Sequence, residues 1–324
     1  MSTFPDGLYQ YGGVPVGGGV LGLGLGNVYY VIQSSNDSYQ DFLEDRQGIY
    51  NNDGSWRVHT TIASALSSTV TERNDYVIIV PDNSDYDLTA TCTMDKKSVH
   101  VICPAGLIWQ VGAPNAARIH QNTADTPIFT MSGAACEVAG LYFKNAASTA
   151  AAGATIYGAT GSYCVSIHNN FFAYVSSGGT NSPCIANVAS SDGFGWGKIW
   201  NNKFYTMTGA STTTAAMILI AAQAGGVDID GNEFMVGDGN TVTAAINSAS
   251  IKGTIKNNYF HEMITQGGTG AGTFTGAITI TNAQGVIGNR GSVLTGHMIA
   301  GGTANACFSD NHDGHVGGAT EIET

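Results

Sequence analysis

Short runs of alternating apolar and small polar residues recur along the C-terminal two thirds of the chain. The clearest are "IHNNFF" (167–172), "IWNNKF" (199–204), "IDGNEF" (229–234) and "IKNNYF" (255–260). Aligned on Asn170, Asn202, Asn232 and Asn258, they share an Ile three residues earlier (Ile167, Ile199, Ile229, Ile255) and a Phe two residues later (Phe172, Phe204, Phe234, Phe260). The asparagines are 32, 30 and 26 residues apart. A degenerate copy keeps Val138 and Phe143 but has Leu141 at the Asn position, and two later copies keep Val286 with Asn289 and Phe308 with Asn311 but lose the Phe. That makes seven copies between about 136 and 313.

A second apolar segment precedes each asparagine, centred in turn on Ile156, Ile185, Ile218, Ile246, Ile278 and Ile299. Period-two alternation predicts strands with one buried face, and the Gly/Ser/Thr/Asn stretches between them predict loops. A repeat of 22–32 residues carrying two or three short strands is the signature of a β-solenoid. Stacked coils place equivalent residues in ladders ~4.8 Å apart. The Ile and Phe positions should then form inward columns. Asn tolerates left-handed backbone at a sharp corner, and its amide can bond the Asn of the next coil.

The N-terminal third reads differently. Residues 27–33 predict an isolated strand. Val58, Ile62, Ala65, Leu66 and Val70 fall at helical spacing. "DYVIIVPD" (75–82) and "SVHVICP" (98–104) predict strands ended by proline. A helix there would cover the open end of the solenoid, which would otherwise expose pairing edges. The expected organisation is a Gly-rich, flexible arm over 1–26, a cap with the first coils over 27–130, and repeats with a C-terminal cap over 131–324.

Composition narrows the possible partners. Gly accounts for 44 of 324 residues, roughly twice the usual ~7%. Charged residues are 11% against ~25% in ordinary domains. A net charge of −12 with 12 Lys and Arg argues against nucleic acid and anionic membrane as partners. No segment is long and apolar enough for membrane insertion. The first residues lack the basic start and apolar core of a signal peptide, so assembly in the cytoplasm is expected. The six cysteines (Cys92, Cys103, Cys136, Cys164, Cys184, Cys307) have no ligand spacing and read as small buried apolar residues.

The Gly-rich leader, "GNVYYV", "DGSW…TIASAL", "DYVIIVPD" and then the V/I-x-x-N-x-F repeat resemble, over roughly 27–313, the right-handed parallel β-helix proteins related to pectate lyases. Among these the chain most resembles virion proteins of tailed bacteriophages, such as tail spikes and capsid or tail appendages. The resemblance implies an all-β, right-handed parallel β-helix (solenoid) with an N-terminal capping helix. It also implies location in a virion, a homo-oligomer (most often a trimer), contact with other virion proteins through residues 1–26, and binding of host surface polysaccharide. Some members cleave such glycans, so a polysaccharide-degrading tail spike is the alternative function.

No catalytic signature transfers from that resemblance, and no cofactor is implied. Asp228 and Asp230 come nearest to a catalytic pair: both should project outward beside inward Ile229, at a separation that acid/base work on a glycosidic bond permits. Trp196, Trp200 and Tyr205 are the candidate sugar contacts, because pyranose rings pack their apolar faces on aromatic rings. Asp310, His312 and His315, with Asp313 among them, are donors that could hold a divalent metal, although Gly and Asn beside them equally suit a terminal turn.

Overall fold

The computed structural model describes residues 26–314 apart from 38, 45–49, 52, 108–115, 146–152, 175–182, 188–192, 207–212, 215, 222–224, 238, 251, 263–271, 283, 293, 295–296 and 301–306, together with two-residue strands at 10–11, 14–15 and 320–321. The chain winds into a right-handed parallel β-helix. Each full coil contributes one strand to each of three parallel sheets, as in Ile156–Gly158, Ser166–His168 and Phe171–Tyr174. We term these sheets A, B and C in the order in which that coil meets them. Sheet A is continuous from the N-terminal coils into the repeats, since Phe129 pairs with both Cys92 and Ile156.

The repeat is expressed as columns. Val138, Ile167, Ile199, Ile229, Ile255, Val286 and Phe308 are register partners in sheet B. Ile156, Ile185, Ile218, Ile246, Ile278 and Ile299 are partners in sheet A. In sheet C, Phe143, Phe172, Phe204, Phe234 and Phe260 form one buried column. Their rings stack with centroids 5.1, 4.7, 4.7 and 5.2 Å apart. Where the column stops, Leu294 fills the space of the missing ring: a Cβ on Gly291, the partner of Phe260, would lie 2.7 Å from the Leu294 side chain.

Asn170, Asn202, Asn232, Asn258, Asn289 and Asn311 are buried where sheet B turns into sheet C. The Nδ2 of each of the first five donates to the Oδ1 of the next Asn at 2.9–3.1 Å. The left-handed residue at this corner is not the ladder Asn, as expected from its tolerance of positive φ, but the one before it: Asn169, Asn201, Gly231, Asn257, Gly288 and Asp310, with φ of 51–65°. The ladder Asn must keep its amide pointing inward, so the turn is made by its exposed or half-buried predecessor.

The N-terminal end departs further from the sequence pattern. Helix α1 spans Tyr39–Glu44, which the pattern did not predict, and α2 spans only Ile62–Ser68. Thr61 caps α2, its Oγ1 accepting from the Ser64 N–H at 3.2 Å. Val58 lies in a strand beside Tyr30, and Val70 is exposed. Ile62, Ala65 and Leu66 join the main core and close its N-terminal end. Val28–Val31 is not isolated either; it sits in sheet B beside Asp75–Ile79. Cys92, Cys103, Cys136 and Cys184 are buried as expected, but Cys164 is exposed at a turn with φ of 57°. Of the proposed arm, only the antiparallel pair Gln10–Tyr11 with Val14–Pro15 and Gly26 lie within the described residues. No helix among the described residues is long and apolar enough to cross a membrane.

Candidate functional site

The inward columns are structural, so any chemistry must come from the outward rows that alternate with them. Sheet B presents two such rows. One runs through Tyr76, His100, Glu137, Ser166, Lys198 and Asp228. The other runs through Ala139, His168, Trp200, Asp230 and Lys256.

Asp228 and Asp230 do project from one strand on either side of buried Ile229. Each, however, is turned to its own neighbours. Asp228 Oδ1 accepts from the Thr254 N–H at 3.0 Å and from its hydroxyl at 2.9 Å. Asp230 Oδ2 lies 3.4 Å from Lys198 Nζ and 3.8 Å from Lys256 Nζ, and its Oδ1 accepts from Asn257 at 3.1 Å. Trp200 is also engaged. Its ring stacks on His168 at 4.3 Å, its Nε1–H donates to Ser166 at 3.1 Å, and Lys198 Nζ lies 5.1 Å from the ring centroid.

Glu137 and Glu233, two carboxylates outside the predicted catalytic pair, are held by close basic partners. Glu137 is held between His100 Nδ1 and His168 Nε2, both at 2.6 Å. His100 in turn stacks on Tyr76 at 4.5 Å. Burial pushes the Glu137 pKa up, but the two imidazole hydrogen bonds outweigh it and bring it down to about 2. Glu233, on sheet C, is bound by His261 at 3.3 Å and Lys203 at 2.7 Å. The His261 hydrogen bond leads in lowering its pKa to about 2, against burial and with help from Lys203. Both clusters are visible in the sequence once the repeat is extended one position to each side of the Ile and Phe columns. That alignment pairs Lys203 with Glu233, and His100 with Glu137.

The three candidate sugar contacts do not form one platform. Trp196 stands in the turn before the sheet B strand of its coil, Trp200 on sheet B and Tyr205 on the outer face of sheet C. Trp196 is 69% exposed. Of the candidate metal donors, Asp310 lies at the corner between sheets B and C and accepts from the Ser309 hydroxyl at 2.8 Å. His312 sits in sheet C opposite Arg290, and His315 lies outside the described residues. Among the described residues no three His, Cys, Asp or Glu side chains group as a metal site.

These registers define the class: a parallel β-helix protein. No family model and no curated protein matches the chain. Among solved structures it is similar to one titled "Crystal structure of pectate lyase Pel9A", with a TM-score of 0.37 and 13% identity over 89% of this chain and 74% of that one.

Proposed function

We propose that the chain is a structural subunit of a bacteriophage virion, a homo-oligomeric β-helix appendage or capsid-associated protein that binds host surface polysaccharide without cleaving it. The observation that carries the non-cleaving part is the state of the outward carboxylates. Glycoside hydrolysis needs one carboxyl held protonated near neutral pH beside a second that is ionised. Glu137 and Glu233 are driven the opposite way, to about 2. Asp228 and Asp230 are occupied by Thr254 and by two lysines. The virion setting is supported by the sequence resemblance over 27–313, and the contact of residues 1–26 with other virion proteins by their glycine-rich composition.

A reducing-end assay on capsular and cell-wall polysaccharides, run beside a pull-down on the same polymers, tests the reading. Binding without release of oligosaccharides is expected. The competing reading, a polysaccharide-degrading tail spike, is favoured by one feature: Asp228 and Asp230 share a strand face. Release that disappears in Asp228→Asn or Asp230→Asn would establish it.

A further inference from the structure

In five successive coils the residue two places before the first outward row of sheet B is left-handed. Ser98, Ala135, Cys164, Trp196 and Gly226 hold this place in five successive coils, with φ of 57, 55, 57, 60 and 69°. They are chained by backbone bonds of one pattern: Ser98 N–H donates to Ala134 O, Ala135 to Tyr163, Cys164 to Gly195 and Trp196 to Gly225. Four of the five residues are small, as a backbone conformation that crowds Cβ requires. Trp196 is the exception. A bulky residue in this conformation is an outlier, and such outliers gather at functional sites.

The surroundings hold the indole in one pose. Phe194, two residues earlier and also left-handed at φ 65°, is fully buried and lies so close to Gly158 that a Cβ there would be 2.6 Å from its ring. It anchors the turn from below. On the outer side, one face of the Trp196 ring lies across the next coil: Cβ atoms built on Gly225 and Gly226 would fall 3.4–4.0 Å from atoms in both halves of the indole. The ring is therefore seated flat on two glycines with its other face in water, 69% exposed. Tyr163, 42% exposed, stands one coil earlier. Lys198, with a half-exposed side chain, stands on the following strand.

We infer that Trp196 is the stacking platform of a glycan-binding site whose ligand is a pyranose-based polysaccharide, with Tyr163 meeting a neighbouring sugar along the helix axis. This rests on the glycan-binding part of the reading above and gives it a place. The electron-rich face of an indole attracts the polarised C–H bonds on the apolar side of a pyranose ring. A second protein copy suits the ring less well. Interfaces bury contiguous apolar patches, whereas the strand that follows this ring opens on Lys198, whose side chain is 46% exposed.

Trp196→Gly provides the test, because Gly accepts φ near +60° and the ring is not part of the core. Wild type and variant are compared on an array of immobilised pyranose oligosaccharides, with thermal melting and sedimentation alongside. The expected result is wild-type binding to at least one arrayed glycan, roughly tenfold or weaker binding by the variant, an unchanged or higher Tm and the same sedimentation. Equal binding by both proteins would overturn the assignment to Trp196 and leave glycan binding standing elsewhere. Absence of wild-type binding to every arrayed glycan would overturn both. A variant that changes oligomeric state while binding glycan normally would show the ring to be a subunit contact.

Discussion

Asn202 and Asn232 are joined twice: the backbone N–H and the Nδ2 of Asn202 both donate to Asn232 Oδ1, at 2.9 and 3.0 Å. Asn232 Nδ2 also donates to the Ile199 carbonyl at 2.9 Å. The amide thus satisfies buried backbone groups as well as its neighbour's side chain. The end of the ladder shows what replacing an Asn requires. Leu141 occupies the position, its own N–H accepted by Asn170 Oδ1 at 3.0 Å. Ala117, one coil earlier, then has no amide oxygen to bond, and its N–H donates to Cys103 Sγ at 3.3 Å instead.

Replacing Asn232 by Leu should therefore fail where Leu141 succeeds, because nothing beside Asn202 takes the part of Cys103. Stranding its buried donors should destabilise the protein by about 3–5 kcal/mol, since each buried donor or acceptor left unsatisfied costs about 1–3 kcal/mol. Urea unfolding checks it. A loss below about 1 kcal/mol would mean the ladder's bonds are readily replaced.

The phenylalanine column makes a second prediction. Phe204 is fully buried between Phe172 and Phe234, with ring centroids 4.7 Å away on both sides. Phe204→Ala should cost about 3–5 kcal/mol, and Phe204→Leu clearly less, because the cost follows the cavity left behind. The same unfolding measurement decides it, and equal losses for the two variants would show that stacking, not volume, sets the stability.

The fold was legible because its signal repeats. A single "IHNNFF" is ambiguous, but seven copies in register fix both a period and an inward face. The helix at 58–70 was overextended because Val58 and Val70 fit a helical period by chance; Val58 instead pairs with Tyr30, a contact far away in sequence that periodicity does not encode. The corner was misread by one residue, since Asn169 and Asn170 are identical in type and only the direction of the amide separates the turn from the ladder. The Glu137 and Glu233 clusters went unseen because each joins residues 28–37 apart, from different coils, that stand beside rather than within the repeated motif.

These two carboxylates predict acid sensitivity. Both have folded pKa values lowered from 4.5 to about 2. A depressed carboxylate stabilises the folded state fully above its unfolded pKa and loses that contribution as pH falls through the folded value. The loss should therefore run from about 4.5 down to about 2. At neutral pH, Glu233→Gln should melt below the wild type, and the gap should close across that window. A gap that stays constant with pH would mean the Lys203 and His261 contacts contribute nothing through charge.

Assembly gives the last prediction. A chain with only 11% charged residues has few charges to strip of water at a contact, and burying unpaired charge costs far more than burying uncharged polar surface. Cyclic symmetry suits a solenoid, because copies set side by side around an axis present the same sheet face to each neighbour and the contact closes. We therefore expect sedimentation at micromolar concentration to give a mass three times the 33.5 kDa of one chain. Removing residues 1–26 should preserve that trimer and its melting temperature, since Ile62, Ala65 and Leu66 belong to the main core and close its N-terminal end. What the truncated protein should lose is attachment to purified virion components. A monomer in the full-length sample would reject the oligomer, and unfolding of the truncated chain would show that 1–26 belongs to the fold and is not an attachment arm.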